Sequence, residues 1–325
     1  MRFVTNQVGL TEEEAVARLL ENHPKIAVDL ETVSLDNRLI LGVAVAISPD
    51  VGYYFFNPKD DYIKFVIENC PLVLFHNASF DVPALGKLGI RIPHWEDTML
   101  LAYSNGILEK GLESLSENLL HRPYTKVTSQ WKKVDQGNIG IDHVKMAGWS
   151  IQHATNTFCL WEILPKVPLY WEVDRPSIDL VIEMEQWGVC IDQYKLTEVE
   201  QETMVKVLKL EAELKAELGE LNLGSNPQVT KALQEKGVLG TRKTKAGKDS
   251  VSDESLKPLH NPLADKLLKW RSLMKTVSTY VPAFRNQVDG QGRLHTSYGY
   301  TNTGRWNSSD PNLQNLTRNE KFEDD

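Results

Sequence analysis

The chain has 325 residues, 41% of them hydrophobic, enough to bury a full core and to predict two domains. Its longest apolar run, Leu39 to Ile47, is too short to span a bilayer, the N-terminus has no signal-peptide core, and Cys70, Cys159 and Cys190 form neither a zinc pattern nor a disulfide framework. An intracellular protein without a membrane partner is expected. The net charge of −8 argues against a nucleic-acid partner when taken whole, but residues 1–220 carry −13 and residues 221–325 carry +5. That asymmetry predicts an acidic domain joined to a basic one suited to phosphates.

Three strands are expected over residues 26–56. "IAVDLETV" alternates, "LILGVAVAIS" is a buried apolar run, and "VGYYFF" is rich in aromatics. "PLVLFH" (71–76) predicts a fourth strand leading into a helix near Ser79. Asp97 is the expected N-cap of "TMLLAYSNG", and "GLESLSENLL" reads as a short amphipathic helix. This first, α/β domain should end near Pro165. Helices then follow over 177–187 and about 193–218, a basic loop over 241–250, and one long helix from Pro262 to Phe284. "GRLHTSYGYT" returns to strand-like alternation.

Alternation places Asp29 and Glu31 on one face of a strand, with Val28 and Leu30 turned to the core. Two adjacent carboxylates repel unless a cation lies between them, and a hard divalent ion suits oxygen ligands. In "FHNASFDVPAL" a buried strand ends at Asn77 and Asp81 lies at the start of a helix, where it can face the same edge. Three converging carboxylates suit two-metal phosphodiester chemistry. A helix through "GWSIQHATNTFCLW" would place Trp149 and His153 together on one face.

"DLET", "NASFD" and the helix from Trp149 resemble the three exonuclease motifs of the DEDD superfamily, whose proofreading members have an RNase H-like fold. The resemblance implies catalytic and metal-ligating roles for Asp29, Glu31 and Asp81 with Mg²⁺ or Mn²⁺. It also implies Tyr and Asp where this chain has Trp149 and His153. Imidazole removes a negative charge and is a softer ligand than carboxylate, and tryptophan donates a hydrogen bond but accepts none. The histidine subclass offers no rescue, because the position five beyond His153 is Phe158. A degenerate site is expected.

"RLHTSYGYTNTGRWNSSDPNLQNL" (293–316) resembles the segment that opens the palm of family A DNA polymerases, and "SNPQVTKALQEKGV", "TKAGKDSVSDESL" and "RSLMKTVSTYV" resemble that family's thumb. The implied architecture is an α/β RNase H-like exonuclease domain (1–168), a mostly α-helical thumb (169–290) and the first edge of a palm (291–325). Lys243, Lys245 and Lys248 in the basic loop, and Lys275 with Thr279 four residues apart on a helix, are expected to meet backbone phosphates. Arg305, Asn312, Gln314 and Asn315 offer groups that read duplex geometry from the minor groove. The implied partners are primer-template DNA, a single-stranded 3′ end, and a second chain carrying palm and fingers, because the polymerase aspartates of the family lie beyond this segment. A fragment, a truncated product and half of a split polymerase of phage type (in the host cytoplasm) all remain open. So do an exonuclease active by itself and a non-catalytic scaffold.

Overall fold

The computed structural model describes residues 3–5, 11–32, 39–122, 124, 143–238, 242–243, 247 and 249–316. The chain divides into two compact units, Met1–Met184 and Glu185–Asp325.

In the first unit the described strands are β1 (Phe3–Thr5), β2 (Ile26–Thr32), β3 (Ile40–Ala46), β4 (Gly52–Phe55), β5 (Val73–Phe75) and β6 (Trp95–Asp97). They form one sheet in the order β1-β4-β3-β2-β5-β6, antiparallel from β1 to β2 and parallel from β2 to β6. The helices are α1 (Glu12–Leu19), α2 (Asp61–Asn69), α3 (Ala78–Lys87), α4 (Thr98–Ser104), α5 (Leu112–Asn118) and α6 (His143–Ile163). A π-helical turn, Tyr170–Asp174, leads into α7 (Arg175–Trp187).

The central strands are buried on both faces, which is why β3 reads as an unbroken apolar run rather than an alternation. Helix α6 packs across β2, β3 and β4. Its approach depends on Gly52, where an added Cβ would stand 2.7 Å from Ile151 Cγ2. Asp97 caps α4 as expected, its carboxylate accepting from Met99 N at 2.7 Å and Leu100 N at 3.1 Å.

Residues 169–184, assigned from composition to the second domain, lie in the first compact unit. The fully buried Tyr170 donates its hydroxyl proton to Glu96 at 2.5 Å and accepts from Asp97 N at 2.9 Å. Arg175 stacks 3.7 Å above the Trp95 ring and donates to the Trp95 carbonyl. The change of composition near Pro165 thus marks the end of α6, whereas these long-range bonds tie the next segment to β6.

The second unit contains β7 (Val189–Cys190), α8 (Gln193–Leu218), α9 (Asn226–Glu235), α10 (Asp253–Leu256), α11 (Pro262–Lys275), α12 (Val281–Asn286), β8 (Arg293–Leu294), β9 (Ser297–Tyr300) and β10 (Trp306–Ser309). Its core joins Val207 and Leu214 of α8 to Val229 of α9 and to Leu267 and Trp270 of α11. The single helix expected over Pro262–Phe284 is instead α11, a π-helical turn at Thr276–Tyr280, and α12. Pro282 has no N–H to donate back, and the wider turn absorbs the missing bond. Pro176 follows the first unit's π-helical turn in the same way.

Candidate functional site

Strand β2 presents Asp29 and Glu31 on one face, half-buried, while Val28 and Leu30 are buried in the core. Ser150 of α6, with no exposed surface, donates its hydroxyl to Asp29 Oδ2 at 2.8 Å and also bonds Glu31. Burial above all, then the charge of Asp29 and more weakly that of Asp81, push the Glu31 carboxyl well above the ordinary carboxylate range, while the Ser150 hydroxyl pulls it down. Asp81 lies in the first turn of α3 and is buried. The start of α3 is set by Asp97, whose fully buried carboxylate accepts from Asn77 N at 3.3 Å and Ala78 N at 2.7 Å besides its two bonds to α4. Asn77 adopts the left-handed conformation (φ 81°) needed for this turn. The three carboxylates therefore form one electrostatic neighbourhood.

Trp149 and His153 share a face of α6, with ring centroids 4.0 Å apart. Tyr124 also stacks on the imidazole, with centroids at 4.9 Å and planes within 16°. In contact with both rings and buried, His153 has Nδ1 3.7 Å from Asp29 Oδ1, too far for a hydrogen bond. His153 Nε2 and Trp149 Nε1 are buried without hydrogen-bond partners. His76 also adjoins the cluster. It bonds Thr98 Oγ1 at 2.9 Å, and burial, reinforced by His153, drives its imidazole down to about 4. Burial and the charges of Asp29, Glu113 and Glu31 push the Tyr124 phenol up to about 12.

These residues fit a two-ion site poorly. The crowded carboxylates lack compensating positive charge, as Glu31 shows, and hard cations suit such oxygens. Yet the corner facing Asp29 is an imidazole packed against the Trp149 and Tyr124 rings. Among the described residues no group of three or more His, Cys, Asp or Glu side chains is disposed to hold a metal ion.

Ser150, Tyr124, Tyr54 and His76 belong to the site's surroundings and were not singled out by sequence. The first and last adjoin motif residues, so proximity in the chain was an available signal. Tyr54 shares a cross-strand row with Ala44 and Asp29, which only the register reveals. Nothing local marks Tyr124.

In the second unit, the Lys243 ammonium pairs with Asp249, across an isolated bridge between the two residues. Its expected availability to phosphate is thereby reduced. Lys245 and Lys248 lie outside the described residues. Lys275 and Thr279 are exposed, the former 5.4 Å above the Tyr280 ring and just before the π-helical turn, the latter within it. Arg305 is exposed at the β9–β10 turn, where its backbone closes against Thr301.

The amides of the following loop are largely committed to the loop itself. Gln314 Oε1 accepts from Ser308 N at 3.2 Å, and its Nε2 donates to the Trp306 carbonyl at 3.0 Å. Asn312 Oδ1 accepts from Gln314 N and Asn315 N, at 3.1 and 3.0 Å. Gln314 and Asn312 therefore shape the loop. The Asn315 side chain is exposed, and the residue's backbone carbonyl accepts from Tyr280 OH at 2.6 Å, which brings it into the neighbourhood of Lys275.

Comparison with known proteins agrees with this division. The family model for DNA polymerase family A matches residues 193–324, and that for a 3′–5′ exonuclease matches residues 2–147. DNA polymerase I of Borreliella burgdorferi is 30% identical over 345 residues, covering 97% of this chain and 37% of that protein. DNA polymerase I of Rhizobium leguminosarum is 32% identical over 268 residues, covering 75% and 26%. In fold, the chain is similar to the POL domain of Pol1 from M. smegmatis in a complex with DNA primer-template and dNTP. The TM-score is 0.72 at 23% identity, with 96% of this chain and 56% of that one covered. The chain belongs to the DNA polymerase I family, within family A, and carries its 3′–5′ exonuclease region and part of its polymerase region. It spans between about a quarter and just over a third of the length of these two curated relatives. Among the described residues no helix is long and apolar enough to cross a membrane.

Proposed function

We propose that this chain grips primer-template DNA through its second unit and receives a single-stranded 3′ end at the carboxylate cluster of its first. Magnesium-dependent hydrolysis there is weak or lost. The observation that carries the reading is His153, packed against Trp149 and Tyr124 and facing Asp29, where the family resemblance calls for an aspartate. Imidazole brings no negative charge to a metal pair, and the Trp149 indole can donate to a water but cannot accept from it. Asp29, Glu31 and Asp81 are residues that the family resemblance calls for, and their shared neighbourhood supports a site that can bind while lacking one corner.

The sheet order, with its antiparallel and parallel halves, supports an RNase H-like layout for the first unit. The α8–α11 packing supports a thumb, and the β9–β10 hairpin supports the first edge of a palm. This chain carries part of the polymerase region and spans 37% of the length of the Borreliella burgdorferi relative. Binding without nucleotide incorporation is therefore the expected property of this chain.

Fluorescence anisotropy with a labelled primer-template tests the reading. Affinity should fall steeply with salt as counterions are released. Lys275→Ala and Arg305→Ala should each weaken binding evenly across sequences and reduce the salt slope by about one. Lys243→Ala should change it little, because that ammonium already has a carboxylate partner. Binding that ignores salt, or template-directed extension by this chain, would contradict the proposal.

A further inference from the structure

Ser150 lies on α6 and has no exposed surface. A helical serine commonly turns its hydroxyl back to the carbonyl four residues earlier, as Ser278 does to Met274 at 2.7 Å. Ser150 reaches out of its helix instead and donates to Asp29 Oδ2 on β2 at 2.8 Å, across 121 positions of sequence. The donor is firmly placed, because α6 packs across β2 and the next residue, Ile151, lies against Gly52 of β4.

The two oxygens of Asp29 therefore have different surroundings. Oδ2 is engaged by Ser150, whereas Oδ1 lies 3.7 Å from His153 Nδ1. Ser150 and His153 are three residues apart on α6, so neighbouring side chains of one helix address the two oxygens. The last torsion of an aspartate is soft, and a hydrogen bond to one oxygen alone is what gives the carboxylate a fixed facing.

We propose that Ser150 is a positioning residue for the carboxylate site. Its hydroxyl holds Asp29 Oδ2 and so turns Oδ1 toward the corner that His153 occupies, the position where the family resemblance calls for an aspartate. Wholly enclosed, Ser150 acts through Asp29 and not by touching DNA. The proposal rests on the reading of this cluster as the 3′-end site.

A double-mutant cycle on thermal unfolding, run with a chelator, tests the facing of Asp29 and needs neither metal nor activity. The four proteins are the unaltered chain, His153→Asp, Ser150→Ala and the two changes together. His153→Asp sets a second carboxylate against Asp29 Oδ1, and while Ser150 holds Asp29 the two stay face to face. Once Ser150→Ala releases Oδ2, the Asp29 carboxylate can turn away. The double variant should therefore lose about 3 °C less in midpoint than the sum of the two single losses. A double loss equal to that sum, or larger, would overturn the proposed facing.

The role is read separately, in a chain whose exonuclease corner is rebuilt by Trp149→Tyr and His153→Asp. There, at a fixed Mg²⁺ concentration, Ser150→Ala should lower kcat about tenfold with KM for the single strand unchanged. An unchanged kcat would overturn the positioning role. If the rebuilt chain hydrolyses nothing, the functional reading of the site fails, and the cycle still decides whether Ser150 sets the facing of Asp29.

Discussion

Replacing Asp97 by alanine should cost the first unit about 3–5 kcal/mol, the range for stripping a buried charged group from the partners it satisfies. The carboxylate is wholly enclosed and accepts four backbone N–H groups, two from the turn at Asn77–Ala78 and two from the first turn of α4. Burial pushes its carboxyl up and the four bonds pull it back, so those bonds are what keep the group tolerable. Alanine leaves four enclosed donors facing no acceptor, and capping losses alone are about 1 kcal/mol per helix end. Asp97→Asn keeps one acceptor oxygen and should lie between the two. The effect should reach the site as well, because the turn held by Asp97 sets the start of α3 and hence the placement of Asp81. Equilibrium urea unfolding measures it, and a cost below about 1 kcal/mol would show that the four bonds carry little.

Where placement depended on local periodicity, the sequence was readable. The alternation of "IAVDLET" placed Asp29 and Glu31 on one face, the Asp97 cap followed from its position before an apolar helix, and α8 runs over the expected residues. What local pattern could not carry was pairing between distant segments. Ser150 meets Asp29 across 121 positions, and Tyr170 meets Asp97 across 73. Neither leaves a trace in the spacing around it. The three-residue strands β1 and β6 are too short to show an alternation.

Lys243 read as a free cation because a linear chain does not reveal that Asp249 closes back on it. Gln314 and Asn312 read as groups open to DNA, yet a loop with few regular backbone bonds draws on its own amides first. Just after the π-helical turns, Pro176 and Pro282 were visible in the sequence. Their consequence was not, since a missing N–H can be met by a kink, a break or a wider turn.

The rebuilt corner is where the largest change in activity is expected. His153→Asp adds a carboxylate facing Asp29 in an enclosed position, so the altered chain should lose stability in the absence of a divalent ion and recover it when Mg²⁺ is supplied. Trp149→Tyr restores an oxygen that can both accept and donate. Together they should raise Mg²⁺-dependent removal of 3′-terminal nucleotides from single-stranded DNA on the order of 100-fold, the aspartate contributing more because it supplies charge to the metal pair.

Adding Asp29→Ala should abolish the gain. The decisive measurement follows a labelled single strand in Mg²⁺ with the unaltered chain, the rebuilt chain and the rebuilt chain carrying Asp29→Ala side by side. A slow unaltered chain, a fast rebuilt one and a silent Asp29→Ala variant are the result predicted. An unaltered chain that degrades the strand as fast as the rebuilt one would contradict the account of Trp149 and His153.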